Sequence, residues 1–175
     1  MIDVETLRKL LRYEPETGKL FWLPRPNTTA GNKRFNVRFA GKEALTADNG
    51  IGYKNGHILC HKYFAHRVIW AIYTGAWPRE TIDHINGNPS DNRIANLREA
   101  TQAQNVCNKS ATKNGTSNFL GVSWNATRGK WRATIWERGR QKSLGSHIRE
   151  ADAALAYDAA AKRIHGKFAR LNFKT

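Results

Sequence analysis

Ile82-Asp83-His84-Ile85-Asn86-Gly87-Asn88-Pro89-Ser90-Asp91-Asn92-Arg93-Ile94-Ala95-Asn96-Leu97-Arg98-Glu99-Ala100-Thr101 is the stretch around which the rest of the chain is arranged. Thr81 to Ile85 reads as a short strand, with an acid set beside an imidazole. Residues 86–95 are crowded with Asn, Gly, Pro and Asp, the side chains of turns, and read as a loop. Thr101-Gln102-Ala103-Gln104 has the form of a capping box and starts a helix that carries Asn105. On a strand, neighbouring side chains point to opposite faces, so Asp83 and His84 serve two different sides.

Outward from this stretch, the N-terminal side carries four recognisable pieces. Residues 1–12 open with an amphipathic helical pattern, in which Asp3 can cap and Val4, Leu7, Leu10 and Leu11 share a face. Lys19 to Leu23 reads as a strand, and residues 24–56 as short strands and loops. His57 to Phe64 is a further extended stretch. Ala65 to Thr74 has the Val68, Ile69, Ile72, Tyr73 stripe of a helix, and Gly75 suits its left-handed end. On the other side, residues 108–117 hold no large apolar group, and a basic linker is placed at 109–116. Three extended segments follow, at about 119–124, 130–137 and 140–144, then a helix over about 149–165 closed by Gly166.

The 175 residues amount to one large domain or two small ones. Lysines and arginines number 29 against 14 acids, a formal charge of +15, which implies a polyanionic partner; a basic surface that is merely solvated is the plainer reading. Cys60 and Cys107 stand apart, which excludes a disulfide framework and the usual structural zinc site. No apolar run reaches the ~20 residues of a membrane span. With no signal-like N-terminus, the expectation is an intracellular, cytoplasmic protein.

Chemistry then bears on the first stretch. Phosphodiester hydrolysis needs an activated water and charge stabilisation on the phosphate and the departing oxygen. An imidazole can take the proton near neutral pH. Carboxylate and amide oxygens such as those of Asp83 and Asn105 are hard donors that suit Mg²⁺. His66 reads as structural, with contact to the site as the other possibility. Arg67, Arg93 and Arg98 are candidate phosphate contacts, or solvated surface charges.

The pattern Asp83-His84, Asn96 and Asn105 resembles the strand–loop–helix (ββα-metal) finger of phage HNH homing endonucleases, and His66-Arg67-Val68-Ile69-Trp70 and Gly75-Ala76-Trp77-Pro78 resemble the same family. The resemblance covers roughly residues 1–108. It implies a metal-dependent DNA hydrolase in which His84 is the general base, Asp83 and Asn105 ligate Mg²⁺ or Mn²⁺, and Asn96 braces the loop. The last motif position is Asn105 rather than His, which matches the homing-type branch and disfavours a zinc-like ion.

Residues 117–173 resemble the apetala-type (ERF) DNA-binding domain, through Phe119-Leu120-Gly121-Val122, Lys130-Trp131-Arg132-Ala133-Thr134-Ile135, Leu144-Gly145, Ala153 to Ala160, Gly166 and Ala169-Arg170-Leu171-Asn172-Phe173. The family fold is a three-stranded antiparallel sheet on one helix, whose sheet enters the major groove. Strand alternation agrees: Trp131, Ala133 and Ile135 face the alanine-rich helix, while Lys130, Arg132, Thr134 and Trp136 face away. Such a face suits phosphate and base-edge contact, with Arg138 and Arg140 extending it; Trp136 packed under a loop is the other reading. Leu120, Ser123 and Ser143 depart from the plant pattern, so the plant target sequence does not carry over. Arg149 stands where the family often has a capping Thr, which leaves the helix start open.

The sequence thus predicts an α+β chain. Its parts are an HNH domain over 1–108 with an N-terminal DNA-contacting region, the linker, and a DNA-binding domain over 117–175. The predicted function is a site-specific, homing-type endonuclease, phage-like, that nicks double-stranded DNA as a monomer and needs no small-molecule cofactor or membrane. One rival is a non-enzymatic DNA-binding regulator with an inactive HNH domain; a second is a non-specific nuclease whose second domain gives only affinity.

Overall fold

The computed structural model describes residues 1–107 and 116–173, so the linker placed at 109–116 lies, apart from Thr116, outside the described residues. The chain is α+β and divides into two compact units, Met1–Thr101 and Gln102–Thr175. Among the described residues, no helix is long and apolar enough to cross a membrane.

The first unit starts with α1 (Val4–Leu10), capped by the Asp3 carboxylate, which accepts the Thr6 backbone N–H at 2.8 Å. Helix gives way to strand at Leu11: β1 (Leu11–Glu14) pairs with β2 (Lys19–Trp22), and β2 with the short β3 (Glu43–Ala44). A second sheet runs β4 (Ala47–Asp48), β5 (Lys54–Ile58), β6 (His61–Phe64), all antiparallel. Next comes α3 (Ala65–Thr74), with α2 (Ala30–Phe39) earlier in the chain. Leu7, Leu11, Leu20, Ile58, Val68 and Ile69 are almost wholly buried and form the core, on which α3 packs against α1, β5 and β6. Burying each of these side chains contributes roughly 1.5–3 kcal/mol.

Two sequence expectations are corrected here, and one strand is added. Residues 24–56 contain a helix, α2, besides strands and loops. Its Asn-rich, basic sequence is a poor helix former. It is held instead by the Thr29 cap and by aromatic contacts distant in sequence, Trp22 against Phe35 above all. His57 to Phe64 is not one extended run but a hairpin broken at Leu59-Cys60. Both residues take left-handed backbone angles, as a type I′ hairpin turn requires, although neither is the glycine or asparagine usual there. Leu97–Ala100, which carried no strand expectation, is β8, paired with β7 (Thr81–His84).

The second unit holds α4 (Gln102–Cys107), the sheet β9 (Val122–Asn125), β10 (Lys130–Glu137), β11 (Arg140–His147), and α5 (Glu150–His165). Strand β10 is central and antiparallel to both neighbours, and α5 packs across it and β11. The sheet–helix contact is close because alanines line it: Ala133, Ala153, Ala154 and Ala161 are fully buried. At Gly121 the fit is tightest. Its φ is +69°, and a Cβ there would stand 2.2 Å from Tyr157 Cδ2. The chain end is clamped as well. Buried Asp158 accepts the backbone N–H groups of Asn172 and Phe173, and the Asn172 side-chain oxygen accepts the Leu120 N–H at 2.6 Å. Arg149 is the N-cap of α5 without a side-chain cap bond, and its guanidinium pairs with Asp152.

Candidate nuclease site

The β7–β8 hairpin is buried on both faces at its end, and two polar pairs explain how that is tolerated. Asp83 faces Arg98 directly across the ladder. Both Arg98 Nε and Nη2 donate to Asp83 Oδ2, at 2.8 and 2.6 Å, and only 4% of the Asp83 side chain and 15% of the Arg98 side chain are exposed. Cross-strand opposition places the charges, and burial makes the pairing obligatory. Arg98 is therefore engaged inside the hairpin rather than displayed at the surface.

His84 points to the other face. Its Nε2 lies 2.9 Å from the Asn92 side-chain oxygen, and both residues are buried. With an amide oxygen as acceptor, Nε2 carries the proton and Nδ1 is the basic nitrogen of the ring. Burial lowers the His84 pKa from its ordinary value, against which the Asn92 hydrogen bond and the Asp83 charge act. The wall around the ring is aromatic. His66 lies edge-on at 5.3 Å between ring centroids, and Tyr53 at 5.7 Å. Phe64 stacks on His66. Burial pushes the His66 pKa down to about 3, helped by the nearby His84 and Arg67, and the His66 Nδ1 is buried with no hydrogen-bond partner among the described residues.

The loop that carries Asn92 is held from within and from without. The Asn96 side chain accepts the Asn86 N–H at 2.9 Å and donates to the Asn86 side chain and to the Asp91 carbonyl, closing the loop on itself. The Tyr13 hydroxyl, from β1, donates to the Asn92 carbonyl and accepts the Ile94 N–H. Gly18 in the β1–β2 turn lies against the same backbone, with φ +71° and room for no Cβ, which would stand 2.5 Å from the Arg93 nitrogen. Ser90 Oγ donates to the Gly52 carbonyl.

The remaining sequence candidates are placed as follows. Arg93 forms a two-pronged pair with Asp91, whose carboxyl it holds down at about 2, and keeps a largely exposed side chain. Arg67 donates to the carbonyls of Pro78 and Glu80, pinning the turn before β7. Asn105 is half-buried on α4, within the second unit. Of the sheet residues, Lys130, Arg132, Arg138 and Arg140 are exposed, Thr134 is half-buried, and Trp136 is 62% exposed rather than packed under a loop. Their alternation with Trp131, Ala133 and Ile135 is the one drawn from the sequence.

Asn92 and Tyr53 were not anticipated. Asn92 is one of several asparagines in the loop, and spacing does not set it apart. Tyr53 enters from a hairpin some thirty residues upstream and has no sequence signal.

The donor set also bears on a metal. Among the described residues, no three His, Cys, Asp or Glu side chains gather as a cluster. Asp83 presents a buried carboxylate whose Oδ2 accepts both Arg98 bonds. One carboxylate with amide oxygens is the sparse hard-oxygen set that Mg²⁺ accepts, filling its octahedron with waters and phosphate oxygens.

The hairpin thus holds a buried carboxylate on one face and a buried, oriented imidazole on the other. A family profile described as HNH endonuclease matches residues 63–107. Protein 3.8 of Escherichia phage T7 is 36% identical over 106 residues, 60% of this chain and 87% of that protein. An uncharacterized HNH endonuclease of Acanthamoeba polyphaga mimivirus is 33% identical over 123 residues, 70% of this chain and 61% of that protein. The putative dehydration-responsive element-binding protein 2H of Arabidopsis thaliana is 46% identical over 66 residues, 37% of this chain and 41% of that protein. The chain belongs to the HNH endonuclease family, a family of nucleases that use a divalent metal, and it also carries an AP2/ERF-like segment.

Proposed function

We propose that this protein is a site-specific, homing-type DNA endonuclease that hydrolyses one phosphodiester per event, leaving a nick, and acts as a monomer. The single observation that carries the reading is the buried His84–Asn92 bond. It fixes one imidazole tautomer where the loop and hairpin meet. In this account His84 takes the proton of the attacking water through Nδ1, and Asn92 and the aromatic wall hold the ring in place. Asn96 keeps the loop closed so that Asn92 stays in register with His84. A divalent ion, Mg²⁺ or Mn²⁺, supplies charge stabilisation on the phosphate and the departing oxygen when bound. Asp83 would hold it, together with Asn105 as the sequence resemblance assigns. Arg93, the candidate arginine with the most exposed side chain of the three, is the one best disposed to meet a phosphate in its present rotamer.

Residues 117–175 find or hold the double-stranded DNA through Lys130, Arg132, Thr134, Trp136, Arg138 and Arg140, while residues 1–108 cut it and 109–116 join the two. An exposed strand face of cations around a tryptophan matches what groove-reading sheets offer DNA. Cleavage of a library of natural DNA fragments, with random DNA as competitor, tests specificity. The reading expects cuts at one position on one strand that survive competition. Cuts scattered over the competitor would show a non-specific nuclease, and binding without cuts would show a regulator.

A further inference from the structure

Helix α2 uses only one of its sides. At 100° per residue, Asn32, Phe35, Asn36 and Phe39 fall on a single face. Phe35 stands edge-on to Trp22 at 5.5 Å and beneath the Arg25 guanidinium at 3.7 Å. Asn36 donates to the Arg25 carbonyl and accepts the Arg25 N–H, at 2.7 and 2.8 Å. These contacts anchor the helix although none of its residues is buried.

The opposite arc is made of Lys33, Arg34, Val37 and Arg38, all exposed. The helix contains no acid, and Arg34 and Arg38 are like charges at i,i+4, an arrangement that destabilises an isolated helix. Among the described residues, Lys33 and Arg34 take part in no ion pair, and the Arg38 guanidinium lies over the ring of its neighbour Phe39. Val37, in the middle of this arc, is 87% exposed. A solvated face gains nothing from clustered cations around a bare valine; a polyanion with apolar groups between its charges complements both. We propose that α2 is a DNA-docking helix of the first unit, which lays Lys33, Arg34 and Arg38 on the phosphates of duplex DNA and Val37 against sugar or base edges. This rests on the endonuclease reading for the choice of duplex DNA as partner.

The test is a salt series of binding by fluorescence anisotropy, with full-length protein and a labelled random-sequence duplex. Three proteins are compared: wild type, the triple variant Lys33→Ala, Arg34→Ala, Arg38→Ala, and Val37→Asp. Each lost phosphate contact removes ~0.9 from the slope of log K against log salt, so the triple variant should be shallower by up to about 2.7. Val37→Asp should weaken binding, and the charge-keeping pair Arg34→Lys with Arg38→Lys should hold the wild-type slope. All substituted side chains are exposed, and circular dichroism verifies the fold. Wild-type slope and affinity in both the triple variant and Val37→Asp would overturn the proposal, as would tighter binding of single strands through the same residues, or a wild type that binds no duplex. A wild type that binds with an α2-dependent slope yet cuts no DNA would sink the endonuclease reading and leave the docking helix standing.

Discussion

His84 and Asn92 meet through a buried 2.9 Å contact between Nε2 and the amide oxygen. They stand eight positions apart in sequence, at the two ends of a loop, so the bond exists only while Asn96, Tyr13 and Gly18 keep that loop folded. Asn92→Ala should lower the cleavage rate by about 10- to 100-fold, because the ring loses its tautomer and its orientation. DNA affinity should change little. Single-turnover cleavage alongside an equilibrium binding assay checks this; a full rate would remove Asn92 from the mechanism.

Asp83 and Arg98 form a buried ion pair, and removing one partner takes two charge-assisted bonds from the other. Arg98→Met is expected to cost about 3–5 kcal/mol of unfolding free energy. Adding Asp83→Asn to it should recover much of that loss, since the buried carboxylate charge goes too. Urea titrations of the two variants and wild type measure both numbers. An Arg98→Met protein as stable as wild type would mean that the pair carries no structural weight.

Buried His66 gives the fold a pH dependence with a definite sign. Its folded pKa of about 3 lies below the ordinary value of 6.5. Between the two, the unfolded chain binds a proton that the folded chain does not. Its contribution to stability is therefore complete above pH 6.5 and declines as pH falls toward 3, by at most about 1.4 kcal/mol per pH unit. His66→Phe keeps an aromatic ring against Phe64 and removes the titration. Chemical denaturation between about pH 7 and 5, where most carboxylates are still ionised, should show a flatter profile for the variant. Parallel profiles would place the titrating group elsewhere.

On the second unit, Arg132→Ala combined with Trp136→Ala should weaken duplex binding without unfolding, because both side chains are exposed. An aromatic base or sugar contact and a phosphate contact together are worth about 1–3 kcal/mol, roughly fivefold to more than a hundredfold in Kd. Unchanged affinity in an electrophoretic or anisotropy assay would move the DNA-binding face to another surface.

What the sequence made legible follows from how local each feature is. The β10 alternation, α3 with its Gly75 end, and α5 rest on short-range periodicity, and they stand where periodicity put them. Helix α2 was hidden because the residues that hold it, Trp22 and Arg25, lie outside it. The Leu59-Cys60 turn was hidden because two side chains unsuited to left-handed angles make it. Within the site, Asp83, His84 and Asn96 were visible as a motif. The partners that decide their chemistry, Arg98 on Asp83 and Asn92, His66 and Tyr53 around His84, are set by strand register and by contact between separate hairpins, which spacing along the chain does not encode.

The measurement that bears most directly on the central claim is cleavage of a supercoiled plasmid carrying the natural target, by wild type and by His84→Ala, with Mg²⁺ or with EDTA, and with binding followed in parallel. The account predicts metal-dependent conversion to open circles by wild type, a rate lower by about 10²- to 10⁴-fold for His84→Ala, and near-equal DNA affinity. A His84→Ala protein that nicks as fast as wild type, or a wild type that binds its target tightly and never cuts it, would contradict the account.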